Sequence, residues 1–389
     1  MTVPRSRERN KYFSGNAKTS MADFGYHVLP EWFSPERVIE GLILAEDAGF
    51  RVGWISDHFH PWFDKGAYCS FAWSILSAVA ERTKTIKLGT AVTAPILRYN
   101  PAIVAQAFAT LGYLYPNRII LGLGTGEALN EVPSGGGWPS FNERLSRLEE
   151  AVKIIRLLWR GEFVSFRGKY YRLKGAKLYT LSRGDIPIYI AASGSRTAYL
   201  AGRLGTGLIS LAALGLEWLR DIVIPSYRRG LADSELDHKN ESMVCEVIAS
   251  YHEDENEALR NCRPFSATLL PIIFRANISD PREIEMYGYM VSEELIRDRW
   301  LASSRVDEHI DRLAKIMELG FNHVEIVDIS PDHRSFIKFY KEMPCGLIPG
   351  LFRLSSLPFG YSCDVFGSCL RFLISFRLKA YCHASIPLP

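Results

Sequence analysis

The chain has no long hydrophobic run and lacks several short motifs that mark common enzyme classes. No segment of its 389 residues approaches the roughly 20 uninterrupted apolar residues of a membrane span, and residues 1–20 lack the apolar stretch of a secretory signal. A Walker loop, an H-E-x-x-H pair and a G-x-S-x-G elbow are all missing. These absences predict no membrane partner and give no support to P-loop, metal-dependent or serine-hydrolase chemistry.

Paired cysteines with zinc-ligand spacing and a strong net charge are missing as well. The seven cysteines contain no two C-x2-C pairs, so we predict no metal site and a reduced, cytoplasmic location. A formal net charge of +3 is too weak to indicate a nucleic-acid partner.

The charges and cysteines that are present are unevenly distributed. Residues 1–20 carry five basic side chains against one acidic, and residues 344–389 carry four against one, together with four of the seven cysteines. Residues 21–343 are therefore net acidic by four charges. We predict a disordered basic extension over 1–20, a catalytic domain over 21–343, and an atypical Cys-rich tail over 344–389 outside that domain.

Between the two ends, short apolar runs alternate with segments of helical periodicity. Alternation of this kind predicts parallel strands joined by helices, and eight such units over one domain favour a (β/α)8 TIM barrel with insertions. A doubly wound Rossmann-like sheet is the alternative. The predicted strands are Phe24–Leu29, Arg51–Ser56, Ile86–Val92, Arg118–Gly122, Ile186–Ala191, Gly207–Leu211, Ser242–Ala249 and His323–Val327.

In a barrel, the chemistry lies where strands end and loops begin. The segment after the second predicted strand holds Asp57, His58 and Trp62. Histidine is the side chain whose pKa lies nearest neutrality, and an adjacent aspartate can hold an imidazole in one orientation. The segment therefore indicates a proton-transfer site, and the alternative is a capped loop with a buried aromatic residue.

The run from Gly122 to Asn130 is rich in glycine and follows the fourth predicted strand. It does not match G-x-G-x-x-G, because Glu127 stands where the last glycine would be. The glycines would instead let the backbone approach a flat ring, and burial would make Glu127 a general acid. The alternative is a tight turn followed by a carboxylate at a helix N-terminus.

Two further groups of residues are candidates for binding anions. The small residues Ala192, Ser193 and Gly194 precede a predicted helix, whose first N–H groups could bind a phosphate. The ordinary alternative is a Ser/Gly cap. Arg275 and Arg299 could together clamp an anionic substrate, although each is also typical of a solvated surface.

The sequence resembles the coenzyme F420 (deazaflavin)-dependent glucose-6-phosphate dehydrogenase family of the bacterial luciferase-like superfamily. The resemblance covers roughly residues 22–340. It is carried by SDHFHPW (56–62), LRYNPAIVAQAFATLGYLYPNR (97–118), LGTGEALNEV (123–132), WPSFNERLSRLEEAV (138–152), YYRLKGAKLY (170–179) and PIYIAASG (187–194).

The resemblance implies a dehydrogenase in which an alcohol or hemiacetal carbon gives a hydride to F420. It implies that His58 is the base, that Trp62 stabilises the reacting centre and that Glu127 is the acid. It also implies a homodimer. The residues it assigns to the cofactor are Asp57, Thr125, Gly126, Ala192, Ser193, Gly194 and a cis peptide at Ala91–Val92, and those it assigns to the substrate are Glu31, Arg275 and Arg299.

One position departs from the pattern of the family. Leu214 stands where the family's sugar-phosphate enzymes have a phosphate-binding lysine. The loss of a charge-assisted contact, worth roughly 1.5–3 kcal/mol, makes glucose-6-phosphate a poorer expectation than a less anionic alcohol or sugar. Two other functions stay open at this point: an FMN-dependent monooxygenase on the same barrel, and a binding protein without activity.

Overall fold

The computed structural model describes residues 23–238 and 241–343, and these form an eight-stranded parallel barrel. The strands lie close to the positions predicted from apolar runs. Their bounds are β1 Asp23–Val28, β2 Val52–Ile55, β3 Lys87–Thr90, β4 Ile119–Leu123, β5 Ile188–Ala191, β6 Gly207–Leu211, β7 Ser242–Ser250 and β8 His323–Asp328.

The sheet closes on itself, because its first and last strands pair. β1 pairs in parallel with β2 on one side and with β8 on the other, and β6 pairs with β7. Each remaining strand pairs with its neighbours in chain order. The (β/α)8 prediction is therefore confirmed, and the doubly wound alternative, which requires an open sheet, is wrong.

Eight principal helices surround the barrel, one after each strand except for an insertion between β7 and its helix. The third begins with the predicted cap: the Asn100 side chain accepts a hydrogen bond from the N–H of Ala102, and Pro101 occupies the first turn. The helices are α1 Pro35–Ala48, α2 Ala72–Arg82, α3 Pro101–Leu114, α4 Phe141–Leu158, α5 Ser195–Leu204, α6 Ile224–Ala232, α7 Val306–Glu318 and α8 His333–Glu342.

Alternate strand residues point to opposite faces of the sheet, and this divides the core into two layers. The larger layer lies between the barrel and its helices and includes Tyr26, Leu76 and Phe336. The smaller layer fills the lower barrel interior. It consists of Val52, Trp54, Ile120, Tyr189, Ile209 and Val244.

Two segments interrupt the regular alternation. A β-hairpin turns near Arg167 and consists of the strands Val164–Arg167 and Arg172–Ala176. The insertion after β7 contains a short strand, Leu301–Ala302, which pairs with β7. The rest of the insertion is helical: Glu255–Cys262, the 3-10 turn Arg263–Leu269, Pro271–Arg275, Pro281–Gly288 and Glu293–Arg299.

The insertion contains short helices that the eight predicted strand–helix units do not include, among them Pro271–Arg275 and Pro281–Gly288. Asp280 caps the second of these by accepting a hydrogen bond from the N–H of Arg282, and Pro281 starts the first turn. Asp280 and Pro281 are a recognisable helix-start signal, but the segment that follows has only a short stripe of apolar residues, so its periodicity does not indicate a helix.

Two expectations concern residues outside the described part of the chain. The predicted extension over 1–20 and the predicted tail over 344–389 lie outside the described residues. Within residues 23–238 and 241–343, none of the helices is both long and apolar enough to span a bilayer.

Candidate active site

The predicted site residues gather at the carboxyl ends of the barrel strands, because all eight strands run in the same direction. Glu31 follows β1, His58 follows β2, the Ala91–Val92 peptide follows β3 and Glu127 follows β4. The insertion packs against this mouth through a separate apolar cluster that includes Trp62 and Phe265.

His58 is positioned between two carboxylates. Its Nε2 atom lies 3.6 Å from Oε1 of Glu31 and 3.6 Å from Oε2 of Glu127. Its Nδ1 atom lies 3.1 Å from the carbonyl oxygen of His60, which can only accept a hydrogen bond. The contact therefore favours the tautomer with the proton on Nδ1, leaving Nε2 free to take a proton.

Asn130 ties together the two loops that carry His58 and Glu127. Its Oδ1 atom accepts hydrogen bonds from the N–H groups of Phe59, at 2.8 Å, and His60, at 3.3 Å. Its amide nitrogen lies 3.3 Å from Oε2 of Glu127 and 3.3 Å from Nδ1 of His58. One buried amide thus fixes the separation of the candidate base and the candidate acid.

The surroundings of Glu127 favour its protonated form. Burial raises the pKa of the Glu127 carboxyl above its ordinary value, the nearby His58 lowers it, and Glu31 raises it. The net direction is upward. Because the side chain is still 35% exposed, the carboxyl can hold a proton and reach a ligand in the mouth.

Asp57 is placed differently from the expectation that it would orient the neighbouring imidazole. Its Oδ2 accepts from the Thr93 hydroxyl at 2.6 Å, and its Oδ1 accepts from the Tyr99 hydroxyl at 2.9 Å and lies 3.4 Å from Arg98. The orienting hydrogen bond of His58 runs from its Nδ1 proton to the carbonyl of His60 instead. Burial raises the pKa of Asp57, and Arg98, Thr93 and Tyr99 oppose the shift.

Glu31 and Trp62 form the remaining walls around the imidazole. Glu31 is fully buried, accepts a hydrogen bond from the Ser56 hydroxyl through Oε2, and has no hydrogen-bond partner for Oε1 among the described residues. Trp62 is 8% exposed, and its ring centroid lies 5.4 Å from that of His58. The His58 imidazole therefore has the Glu31 carboxylate as one neighbour and the Trp62 ring as another.

The side of the mouth at β3 and β4 forms a shelf of small residues. The Ala91–Val92 peptide bond is cis, as predicted, and both side chains are partly exposed. A Cβ atom at Gly124 would lie 2.6 Å from Val92, so only glycine permits this close packing. Gly126 has a φ of +69°, which glycine adopts readily, and Thr125 beside it is partly exposed.

The shelf continues to the N-terminus of α5. Gly194 is the N-cap residue and supplies no side-chain hydrogen bond to the first turn. A Cβ atom at this position would meet nothing within 4 Å, so the space in front of the helix is open. Ser193 precedes it, with its carbonyl held by Trp218, and Ala192 is buried. Free N–H groups facing open space suit a phosphate.

The two arginines that were expected to act together share no contact partner among the described residues. Arg299 donates from Nη1 to the carbonyl of Ala213 at 3.3 Å, so it lies against the loop that carries Leu214. Arg275 is exposed and has no polar partner among the described residues. Its neighbour Phe274 contacts the Trp62 ring edge-on, with centroids 5.9 Å apart.

Several residues that build the site were not singled out from the sequence. They are Asn130, which links the loops, and the groups that hold the acidic residues. Their signal was present, because most of them lie inside the motifs quoted above, but their contacts join residues far apart in the chain. The residues are Ser56, Thr93, Arg98, Tyr99, Asn130 and Glu131.

The closed barrel, the cis peptide after β3 and the histidine between two carboxylates together define the luciferase-like class of enzymes. The model of the luciferase-like monooxygenase family matches residues 15–323, and the chain belongs to this family. The resemblance predicted from the sequence motifs is therefore confirmed.

The more specific relatives are deazaflavin enzymes. The F420-dependent glucose-6-phosphate dehydrogenase of Mycolicibacterium smegmatis is 41% identical over 319 residues, covering 82% of this chain and 95% of the relative. The corresponding enzyme of Mycobacterium tuberculosis H37Rv is 40% identical over 332 residues, covering 85% of this chain and 98% of the relative.

Solved structures agree with these relatives. An F420-dependent secondary alcohol dehydrogenase, in complex with an F420–acetone adduct, matches with a TM-score of 0.81 and 34% identity, covering 85% of this chain and 99% of that chain. The coenzyme F420-dependent tetrahydromethanopterin reductase of Methanopyrus kandleri matches with a TM-score of 0.70 and 22% identity, covering 83% of this chain and 98% of that chain, and so shares the fold.

Asn130→Leu tests whether this amide holds the site together. The substitution leaves the N–H groups of Phe59 and His60 without their acceptor, so the free energy of unfolding should fall by about 1–3 kcal/mol in urea titrations. Asn142→Leu, at an exposed amide near the start of α4, is the matched control and should change it by less than about 0.5 kcal/mol. Equal stabilities of the two variants would contradict the linking role of Asn130.

Proposed function

We propose that the chain is an F420-dependent oxidoreductase that transfers a hydride from an alcohol or hemiacetal carbon to the deazaflavin. The observation that carries the proposal is the pairing of His58 with Glu127, whose Nε2 and Oε2 atoms lie 3.6 Å apart beside the Ala91–Val92 shelf. The similarity to F420-dependent glucose-6-phosphate and secondary alcohol dehydrogenases supports the same reaction.

The residues of the mouth fit a deazaflavin. A flat ring suits the small side chains of Ala91, Val92 and Gly124, and a phosphate suits the uncapped N-terminus of α5 at Gly194. The region between the shelf and the N-terminus of α5 also includes Thr125, Gly126, Ala192 and Ser193. When bound, the deazaflavin supplies a ring carbon that accepts a hydride.

His58 is the residue we assign to the substrate hydroxyl. The carbonyl of His60 holds the imidazole proton on Nδ1, so the Nε2 lone pair faces the mouth. Taking the hydroxyl proton on Nε2 leaves the substrate carbon free to release a hydride as its carbonyl forms. Glu31, 3.6 Å away, stabilises the imidazolium that results. Trp62 keeps this side of the site apolar.

Glu127 is the residue we assign to the ring side. Its raised pKa favours a carboxyl group that holds a proton, and this proton can pass to the reduced ring. The proton collected by His58 can then return to Glu127 across the short gap between them. The two residues thereby close the proton balance of the dehydrogenation without a proton from the solvent.

The substrate we propose is a neutral alcohol or sugar in preference to a sugar phosphate. Arg299 lies against the loop of Leu214, but the leucine offers an apolar side chain where a lysine would add a second positive charge. Glucose-6-phosphate, the substrate named for several relatives, stays a second candidate. A cytoplasmic homodimer also stays a prediction.

An FMN monooxygenase is the alternative within the same family, and reconstitution separates the two. With purified protein, we expect F420 to be reduced by a panel of secondary alcohols and sugars, with no uptake of oxygen. Tight copurification of FMN, together with oxygen consumption, would contradict the proposal. A binding protein without activity would reduce neither cofactor.

His58→Ala tests the assignment of the base. We expect turnover to fall by about 10²–10⁴-fold, because a positioned proton acceptor is lost, while F420 affinity measured by fluorescence changes little. His60→Ala is the matched control, because the backbone carbonyl that orients His58 survives the substitution. Equal losses in turnover and in F420 affinity for His58→Ala would show that the residue binds the cofactor instead.

A further inference from the structure

Three ionisable residues meet inside the barrel, below the site already described. His27 lies on β1, Glu325 on β8 and Glu246 on β7, and the β-sheet register sets Glu325 directly beside Glu246. The Nδ1 atom of His27 lies 2.7 Å from Oε1 of Glu325. One nitrogen or carboxylate oxygen from each of the three residues lies within 4.8 Å of the others.

The cluster has hydrogen-bonding capacity that the described protein does not use. His27 is 2% exposed and its Nε2 has no partner, and Glu325 is fully buried with Oε2 unpartnered. The carboxyl of Glu246 makes no hydrogen bond to any described residue. Buried polar atoms in native proteins nearly always have a partner, so this cluster is built to contact something further.

Glu246 is the member that opens to the active-site mouth. Along β7, the interior-facing Val244 is fully buried, whereas Glu246 and Ile248 above it are partly exposed. The barrel interior is therefore accessible down to the level of Glu246. Since β7 lies four strands from β3 in either direction around the ring, Glu246 faces the Ala91–Val92 shelf from the opposite side, where a substrate would lie.

The protonation of the cluster determines which hydrogen bonds it can offer. Burial and the adjacent Glu325 raise the pKa of Glu246 to about 8, with His27 opposing and Glu127 and Glu31 adding to the shift. Burial lowers the pKa of His27, but its bond to Glu325 outweighs this and the net direction is upward. At neutral pH, the carboxyl of Glu246 therefore favours its protonated form, beside the His27–Glu325 hydrogen bond.

We propose that Glu246 is a specificity residue whose carboxyl O–H donates a hydrogen bond to a second oxygen of the substrate. The inference rests on the proposed function and narrows its substrate class to compounds with a hydroxyl next to the reacting carbinol, such as vicinal diols and sugars. The His27–Glu325 pair lies beside Glu246, and the Glu325 carboxyl favours the protonated form of Glu246. Ile248 and Leu214 supply the apolar part of the same wall.

A matched pair of substrates tests this role with the full chain and F420. 2,3-Butanediol and 2-butanol differ by the one hydroxyl that Glu246 would contact. We expect Glu246→Leu to lower the ratio of kcat/KM for the diol to that for the alcohol by about tenfold or more, because a lost hydrogen bond to a substrate hydroxyl costs this much. Glu246→Gln, which keeps a donor, should preserve the ratio within about threefold.

The pH dependence gives a second readout. In the unmodified protein the ratio should change as pH rises through about 8, because the carboxyl O–H that donates to the substrate oxygen becomes a carboxylate that can only accept from the substrate hydroxyl. Glu246→Gln should abolish this change. Cys245→Ala is the matched control, because Cys245 points to the helices from the other face of β7, and it should leave the ratio unchanged.

The outcomes distinguish this inference from the proposed function. If the unmodified protein reduces F420 with neither substrate nor with sugars, the proposed function fails. If it reduces F420 but Glu246→Leu and Glu246→Gln both retain the ratio and its pH dependence, the role of Glu246 is overturned. Stoichiometric zinc in the purified protein would also overturn it, because metal ligation needs ionised Glu246 and neutral His27.

Discussion

The pairing of β1 with β8 is the constraint on which the rest of the molecule depends. Six registered residue pairs join the two strands, from Asp23 with His323 to Val28 with Asp328. Closing the ring forces all eight carboxyl ends to one mouth, so loops that are far apart in sequence deliver Glu31, His58 and Glu127 to a common point. The same pairing brings His27 next to Glu325, which lies 298 residues away in the chain.

The active-site mouth contains several buried ionisable groups, and burying a charged group costs free energy. Each group is stabilised by specific hydrogen-bond or ion-pair partners. Asp57 is stabilised by Thr93, Tyr99 and Arg98, and Glu31 by Ser56. Buried polar atoms of Glu31, His27 and Glu325 that lack a hydrogen-bond partner among the described residues lie at or below the mouth. Because an unsatisfied buried polar atom costs free energy, a bound ligand that supplies these hydrogen bonds would recover that cost.

The sequence was sufficient for the architecture and for the residues on each strand end. Alternating apolar runs predicted all eight barrel strands, the quoted motifs put His58 and Glu127 at strand ends, and the family resemblance predicted the cis peptide at Ala91–Val92. The sequence did not predict which side chains from distant parts of the chain contact one another in the barrel. His58 is oriented by the carbonyl of His60 and not by Asp57, and Glu246 lies beside Glu325. Both contacts depend on strand register and loop packing, which periodicity does not encode.

The proposed function depends on transfer of a hydride from the substrate carbon, and deuterium labelling follows that hydride. A secondary alcohol deuterated at the carbinol carbon is oxidised with F420 in ordinary water, and the reduced deazaflavin is analysed by mass spectrometry and NMR. We expect one deuterium on the ring carbon of F420 and a primary isotope effect on the rate under single-turnover conditions. Reduced F420 without deuterium, or deuterium released to the solvent, would contradict direct hydride transfer.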